Sequence, residues 1–206
     1  MQIIRHTQQP YPESIIEQES IVADILYANA PNTLILTEHP PTYTLGTSAQ
    51  DSDILQREIN GESIAVYPTG RGGEVTYHGP GQLLCYVLCN IQSHKDLHQH
   101  VHNLEELIIR TLKEFDINSC RDSRGIGVWV DGFKIAAVGV RCRKWVTFHG
   151  VALNIAPDLK HFTGIIPCGM RDAPVTSMQQ LGTRADRKSI ELLIIKHAQE
   201  LFHETL

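Results

Sequence analysis

Asp131-Gly132 separates two apolar runs, Gly127-Val128-Trp129-Val130 and the stretch from Phe133 to Val140. An Asp-Gly pair supplies the backbone angles of a two-residue turn, and apolar runs on either side of such a turn close as an antiparallel hairpin. This commits the middle of the chain to a sheet. Trp145-Val146-Thr147-Phe148 and Val151-Ala152-Leu153-Asn154-Ile155 read as two more strands, and the apolar stretch 83–91 as a strong one before the hairpin. Shorter strands are predicted over 33–37, 42–45 and 63–67. The stretch 68–81 is too rich in glycine to read as a regular element.

Helices bracket these strands. Ile15, Val22, Ile25 and Leu26 have helical spacing, Pro12 suits a first turn and Pro31 a stop, which predicts a helix over 14–29. A short helix is expected over 53–58. The clearest helix carries Leu97, Val101, Leu104, Ile108, Leu112 and Phe115 at intervals of three or four, with Ser93 as its expected cap. A terminal helix over 190–202 has an apolar face and reads as a small satellite. The expected class is α+β: a mixed, largely antiparallel sheet packed by helices. At 206 residues the chain suits a single domain, 1–206, burying roughly 70% of its unfolded surface without disulfides or a structural metal.

Composition narrows the function classes. The charge sum is 18 − 23 = −5, without the basic excess of a nucleic-acid reader, so no nucleic-acid partner is expected. Five cysteines, an odd number, form no secreted disulfide framework. The first residues lack a signal-peptide pattern, and no apolar run approaches the ~20 residues of a membrane helix. A soluble protein is expected, cytoplasmic or in an organelle matrix after processing, with no membrane partner.

Three segments carry chemistry. In Thr69-Gly70-Arg71-Gly72-Gly73-Glu74-Val75-Thr76-Tyr77-His78-Gly79-Pro80-Gly81-Gln82, glycines let backbone approach a ligand, and Arg71, Thr76 and His78 add donors. Neither the phosphate-loop nor the dinucleotide pattern is met, and a plain connecting loop has the same composition. Cys168 lies between Pro167 and Gly169, outside any regular element, as an exposed and fixed thiol would. Cys85, Cys89, Cys120 and Cys142 read as small hydrophobes or strand-end residues. Lys134 follows the hairpin turn and, in a regular strand, shares a face with Ala136, Val138 and Val140. Apolar burial makes a lysine usable as a base; the competing reading is a stem lying on apolar surface with its head in water. His94, His98, His100 and His102 include pairs one helical turn apart, but no cysteine or carboxylate completes a metal set, so a solvated helix face is expected.

Together these segments resemble the lipoyl(octanoyl) transferase family. The signature Arg-Gly-Gly-x-x-Thr-aromatic-His-x-x-Gly-Gln-x-apolar-x-Tyr runs from Arg71 to Tyr86. Gly127-Val128-Trp129, the run from Lys134 to Val140, Thr147 to Asn154, Ile166 to Gly169 and Val175-Thr176-Ser177 also match, and the likeness extends from Glu38-His39-Pro40-Pro41 to Leu181. The resemblance implies the biotin/lipoate-protein ligase fold, with the ligand in a groove over the sheet. It implies that Cys168 accepts the acyl group and Lys134 activates it. The acyl site would be lined by Arg71, Gly72, Gly73, Glu74, Val75, Thr76, Tyr77 and His78, by Ala137, Val138 and Gly139, and by Gly150, Val151 and Ala152.

The implied reaction moves an octanoyl or lipoyl group from an acyl-carrier-protein thioester to a lysine amine of lipoyl domains, including 2-oxoacid dehydrogenase subunits and the glycine cleavage H protein. It needs no metal and no cofactor. Backbone N–H groups near Cys168 or the Gly72-Gly73 turn are expected to hold the oxyanion, with His78 and His149 as alternative bases. Both protein substrates are expected to be acidic, and Arg121, Arg124, Arg141, Arg143 and Lys144 could steer them. An ATP-dependent ligase on the same fold is the enzymatic rival, since it needs no cysteine at position 168. A non-catalytic acyl-binding module needs neither Cys168 nor Lys134.

Overall fold

A computed structural model describes residues 1–166 and 174–202. The chain opens with strand β1 (Gln2–Arg5) and helix α1 (Tyr11–Tyr27), then β2 (Thr33–Thr37) and β3 (Thr42–Leu45). Two-residue strands β4 (Glu58–Ile59) and β5 (Glu62–Ser63) pair with each other; β6 (Ala65–Pro68), β7 (Val75–His78) and β8 (Gln82–Leu88) follow. Helix α2 (Leu97–Lys113) leads into β9 (Cys120–Asp122), β10 (Gly125–Val130), β11 (Phe133–Arg143) and β12 (Val146–Asn154), and α3 (Arg187–Leu201) follows.

The main sheet has the order β1-β2-β8-β12-β11-β10-β9, and β6-β3-β7 form a second sheet. Among the described residues, only strands β1–β2 and β3–β6 pair in parallel; the other strand pairs are antiparallel. The expected mixed, largely antiparallel class is what forms. Every residue of β8 is buried, as its apolar run demands of a central strand. The hairpin turn forms at Asp131 (φ 47°) and Gly132 (φ 85°), the positive angles that Asp-Gly tolerates.

The two faces of the main sheet have separate cores. Leu34, Leu36, Val87 and Leu153 pack with Leu104, Ile108 and Leu112 of α2 and with Ile190, Ile194 and Ala198 of α3. The terminal helix is thus part of the main core, not a satellite. Its cap is Asp186, which accepts from Ser189 N–H; α2 is capped by Asp96 rather than Ser93. On the other face, Ile35, Leu84, Tyr86 and Phe148 pack against Val22 and Ile25 of α1.

Several local expectations change. The glycine-rich stretch contains β7, because Val75 and Tyr77 are buried beside β3. The stretch 53–58 is not a helix; a short 3₁₀ turn precedes it at Asp51–Asp53. The runs around Phe148 and Val151 are one strand, continuous through His149 at φ 63°. The hairpin is bulged: Val128 pairs with Ala136 but Trp129 pairs with Lys134, leaving Ile135 as an extra residue. This shift removes Lys134 from the face of Ala136, Val138 and Val140. Its stem instead crosses Gly127, which pairs with Ala137, where an added Cβ would lie 3.3 Å from Lys134 Cε.

Candidate active site

Small residues hollow the α1 face of the sheet. Gly139 pairs with Gly150 and Ala137 with Ala152 across β11 and β12. No side chain rises from the two glycines, and a cavity of about 540 Å³ lies above them. Its roof is the loop that begins at Arg71. A Cβ on Gly139 would lie 3.0 Å from Arg71 Cδ and 3.3 Å from Gly72 O, so only glycine keeps floor and roof this close.

Arg71 holds that roof in place. Its Nη2 donates to Thr44 O (2.6 Å) and Glu74 O (2.8 Å), its Nη1 to Gly72 O (3.0 Å) and its Nε to Thr44 Oγ1 (3.2 Å). The side chain read as a ligand donor spends these bonds tying the loop to β3. Gly72 N–H is likewise committed, donating to Val140 O at 2.8 Å. It is therefore not a ready oxyanion donor.

His78, His149, Tyr11 and Tyr86 line one end of the cavity, and His39 is buried behind them. His39 Nδ1 lies 2.6 Å from Gln9 O, so Nδ1 carries the proton and Nε2 accepts from Tyr86 OH at 2.6 Å. His78 lies 3.2 Å from Thr44 Oγ1 and faces Tyr11 and His39. His149 packs on Phe148, and its N–H donates to Gln18 Oε1 of α1 at 2.9 Å. Desolvation holds His39 down to about 4; desolvation and the Arg71 and Arg141 cations hold His149 down to about 3. Burial, then His39 and Arg71, push His78 well below the usual imidazole value. All three imidazoles are neutral at pH 7, and those of His78 and His149 offer uncharged ring surface to this end of the cavity. Burial also pushes the Tyr11 phenol up to about 12.

Lys134 stands at the other end. It is 7% exposed, its Nζ donates to Ile126 O at 3.1 Å and lies 4.8 Å from the Trp129 ring centroid. Its backbone binds the segment that begins at Pro174: Lys134 N–H donates to Pro174 O (2.8 Å) and Thr176 N–H to Lys134 O (2.9 Å). Cys168 lies outside the described residues.

The sequence-derived site residues distribute as follows. Arg71, Gly72, Gly73, Glu74, Val75, Thr76 and His78 line the cavity, as do Lys134, Ala137, Val138, Gly139, Gly150, Val151 and Ala152. Tyr77 does not; its ring turns away and stacks on His161 with centroids 4.8 Å apart. Tyr11, His39, Gln18 and Tyr86 were not read as site residues. Tyr86 ends the signature and His39 stands in a matched segment, whereas Tyr11 and Gln18 carry no sequence signal.

The histidine cluster separates: His98 lines the cavity, His100 is buried against Phe202, and His94 and His102 are exposed. A uniformly solvated face is therefore wrong for His100. Among the described residues no group of three or more His, Cys, Asp or Glu is arranged to hold a metal, and no helix is long and apolar enough to cross a membrane. The basic stretch also divides. Arg121 pairs with Glu105 and Glu106, and Arg124 with Asp122. Arg141 and Arg143 instead lie over the Phe148 ring.

A hollowed mixed sheet with a roofed apolar groove defines the lipoate- and biotin-protein ligase class of folds. A bi-partite lipoate protein ligase from Thermoplasma acidophilum superimposes with a TM-score of 0.66, covering 98% of this chain and 83% of that one at 14% identity. A biotin protein ligase from Aquifex aeolicus gives 0.59 over 98% and 70%, at 16% identity. The family model for the lipoyl protein ligase A/B catalytic domain matches residues 10–199. An octanoyltransferase from Bradyrhizobium diazoefficiens is 42% identical, across 95% of this chain and 81% of its own. The chain belongs to the octanoyltransferase family and is an enzyme of that class.

Proposed function

We propose that the enzyme moves an octanoyl or lipoyl group from an acyl-carrier thioester to a lysine of lipoyl domains, through a thioester on Cys168, with Lys134 moving the protons. The observation that carries this reading is the position of Lys134: a buried amine at one end of an apolar cavity, its backbone bonded to the segment that begins six residues after Cys168.

In the first half-reaction, unprotonated Lys134 Nζ takes the Cys168 thiol proton. The thiolate attacks the thioester carbonyl, the carbon–sulfur bond to the carrier's arm breaks, and the leaving thiolate takes the proton back from Lys134. In the second, the acceptor amine attacks the acyl-enzyme and gives a proton to Lys134, which returns it to the departing Cys168 thiolate. Each half-reaction conserves protons. A thioester becomes an amide, which is downhill without a nucleotide. The groove over Gly139 and Gly150 takes the aliphatic chain. The partners follow from this chemistry: an acyl carrier protein as donor and lipoyl domains as acceptors, met in the cytoplasm.

Incubation with octanoyl-carrier and apo lipoyl domain in EDTA, without ATP, tests the reading by intact mass. Expected are an octanoyl adduct on the enzyme that hydroxylamine removes, its absence in Cys168→Ala, and an octanoyl amide on the acceptor. Strict dependence on ATP would move the chain to the ligases.

A further inference from the structure

Beyond the acyl groove lies a second cavity of about 290 Å³, bordered by Ile15, Pro68, Gly70, Arg141 and Phe148. Two residues, Tyr11 and His149, line both spaces. The second cavity continues the groove along the same strands. Arg141 and Phe148 pair with each other two residues beyond the Gly139–Gly150 pair, about 6–7 Å farther along β11 and β12. The floor that is glycine in the groove thus runs on into this space, and the Tyr11 and His149 rings stand between the two.

Both rings are fixed. Tyr11 sits in the first turn of α1, 4% exposed, stacked on Tyr67 at 5.6 Å and edge-on to His39 at 5.3 Å. The His149 backbone N–H donates to Gln18 Oε1, and its ring packs on Phe148 with centroids 5.1 Å apart. A partition of two buried rings, each packed on neighbouring rings, does not swing aside for a longer chain at little cost.

We propose that Tyr11 and His149 set the maximum acyl length by closing the groove, and that the space behind them is an unused extension of the acyl site. The inference rests on the groove holding the acyl chain, as proposed above. An octanoyl group ends before the partition, and a chain several methylenes longer must displace it. Removing either ring joins the two spaces.

The test compares octanoyl-, decanoyl- and dodecanoyl-carrier thioesters as donors for wild type, Tyr11→Ala, Tyr11→Leu and His149→Ala, reading kcat/KM by mass of the acylated acceptor. In the variants each methylene that gains burial should raise relative use of the longer donor roughly fourfold, so the dodecanoyl-to-octanoyl ratio should rise at least tenfold. Ile15→Phe added to Tyr11→Leu refills the second cavity and should cut the ratio back. Circular dichroism and the urea unfolding midpoint of each variant report whether it folds. Wild-type turnover with octanoyl but an unchanged length profile in every folded variant would overturn the partition. Absence of octanoyl transfer by wild type would overturn the reading beneath it.

Discussion

On one face of the seven-stranded sheet, Leu34, Leu36, Val87 and Leu153 meet the apolar stripes of α2 and α3. On the other face β11 and β12 present Ala137, Gly139, Gly150 and Ala152, and the room they leave is the groove. Period-two alternation along β11 and β12 is what separates a load of stability from a space for chemistry. Lys134, Arg71, His78 and His149 border the hollow, whereas the packed face buries His100, Glu105 and Thr111 of α2. Substitutions on one side should therefore change turnover with little effect on folding, and substitutions on the other the reverse.

The largest effect expected on the hollow face is that of Lys134→Ala, which should slow acylation of Cys168 by about 10² to 10⁴, the usual scale for losing a general base. Unfolding midpoints should move little, because it is the Lys134 backbone that binds Pro174 and Thr176. Lys134→Arg should not restore the rate, since a guanidinium keeps its proton. Alkylation of Cys168 by iodoacetamide against pH gives an independent reading: the midpoint should rise in Lys134→Ala. Identical alkylation curves together with unimpaired acylation would remove the dyad.

On the packed face the counterpart is Leu107→Ala. Leu107 is fully buried on α2, and losing its methyls should cost about 2–5 kcal/mol in urea denaturation. Transfer per folded molecule should stay near wild type. A loss of turnover in the folded fraction would show that the two faces are not independent.

The sheet was legible because its strands are apolar runs with clear turn chemistry. The Asp131-Gly132 hairpin and the strands at 33–37 and 42–45 appear as read. What escaped is what local pattern cannot carry. The bulge at Ile135 sits in an unbroken apolar run, yet it decides which face Lys134 joins. His149 and Gly150 looked like a break between strands because positive φ is unusual for histidine, and contact with Gln18 of α1 sustains it. The groove glycines were legible as small residues beside backbone. Tyr11 and Gln18 were not, because a helix facing a partly polar cavity has the same spacing as one facing a core.

Acid should expose both faces together and then tell them apart. His100, on the packed side, is held down to about 4, first by burial and then by His94; His39, on the hollow side, is also held to about 4 by burial. Each is neutral when folded and near its ordinary value of about 6.5 when unfolded. The unfolded chain therefore binds more protons below pH 6.5. Stability is complete above that pH and falls as pH drops toward 4. Each buried histidine should account for about 1.5 kcal/mol of the loss between pH 6.5 and 5. His100→Leu should flatten the curve by one such share and leave transfer intact. His39→Phe should flatten it similarly but lower transfer, because Tyr86 loses the acceptor that orients it.

The smallest effect is expected from the exposed members of the same cluster. His94 precedes α2 and His102 lies on its outer surface, so the double substitution to Gln should shift stability by less than about 0.5 kcal/mol. Transfer should be unchanged, with or without added zinc. His98 is left out of this test because it lines the groove, and His100 because it packs on Phe202. Four histidines within nine positions thus divide by side: one borders the substrate space, one belongs to the helix interface, and two face solvent. A fall in turnover that zinc restored would join His94 and His102 into a site and break the division between a packed, inert face and a reactive one.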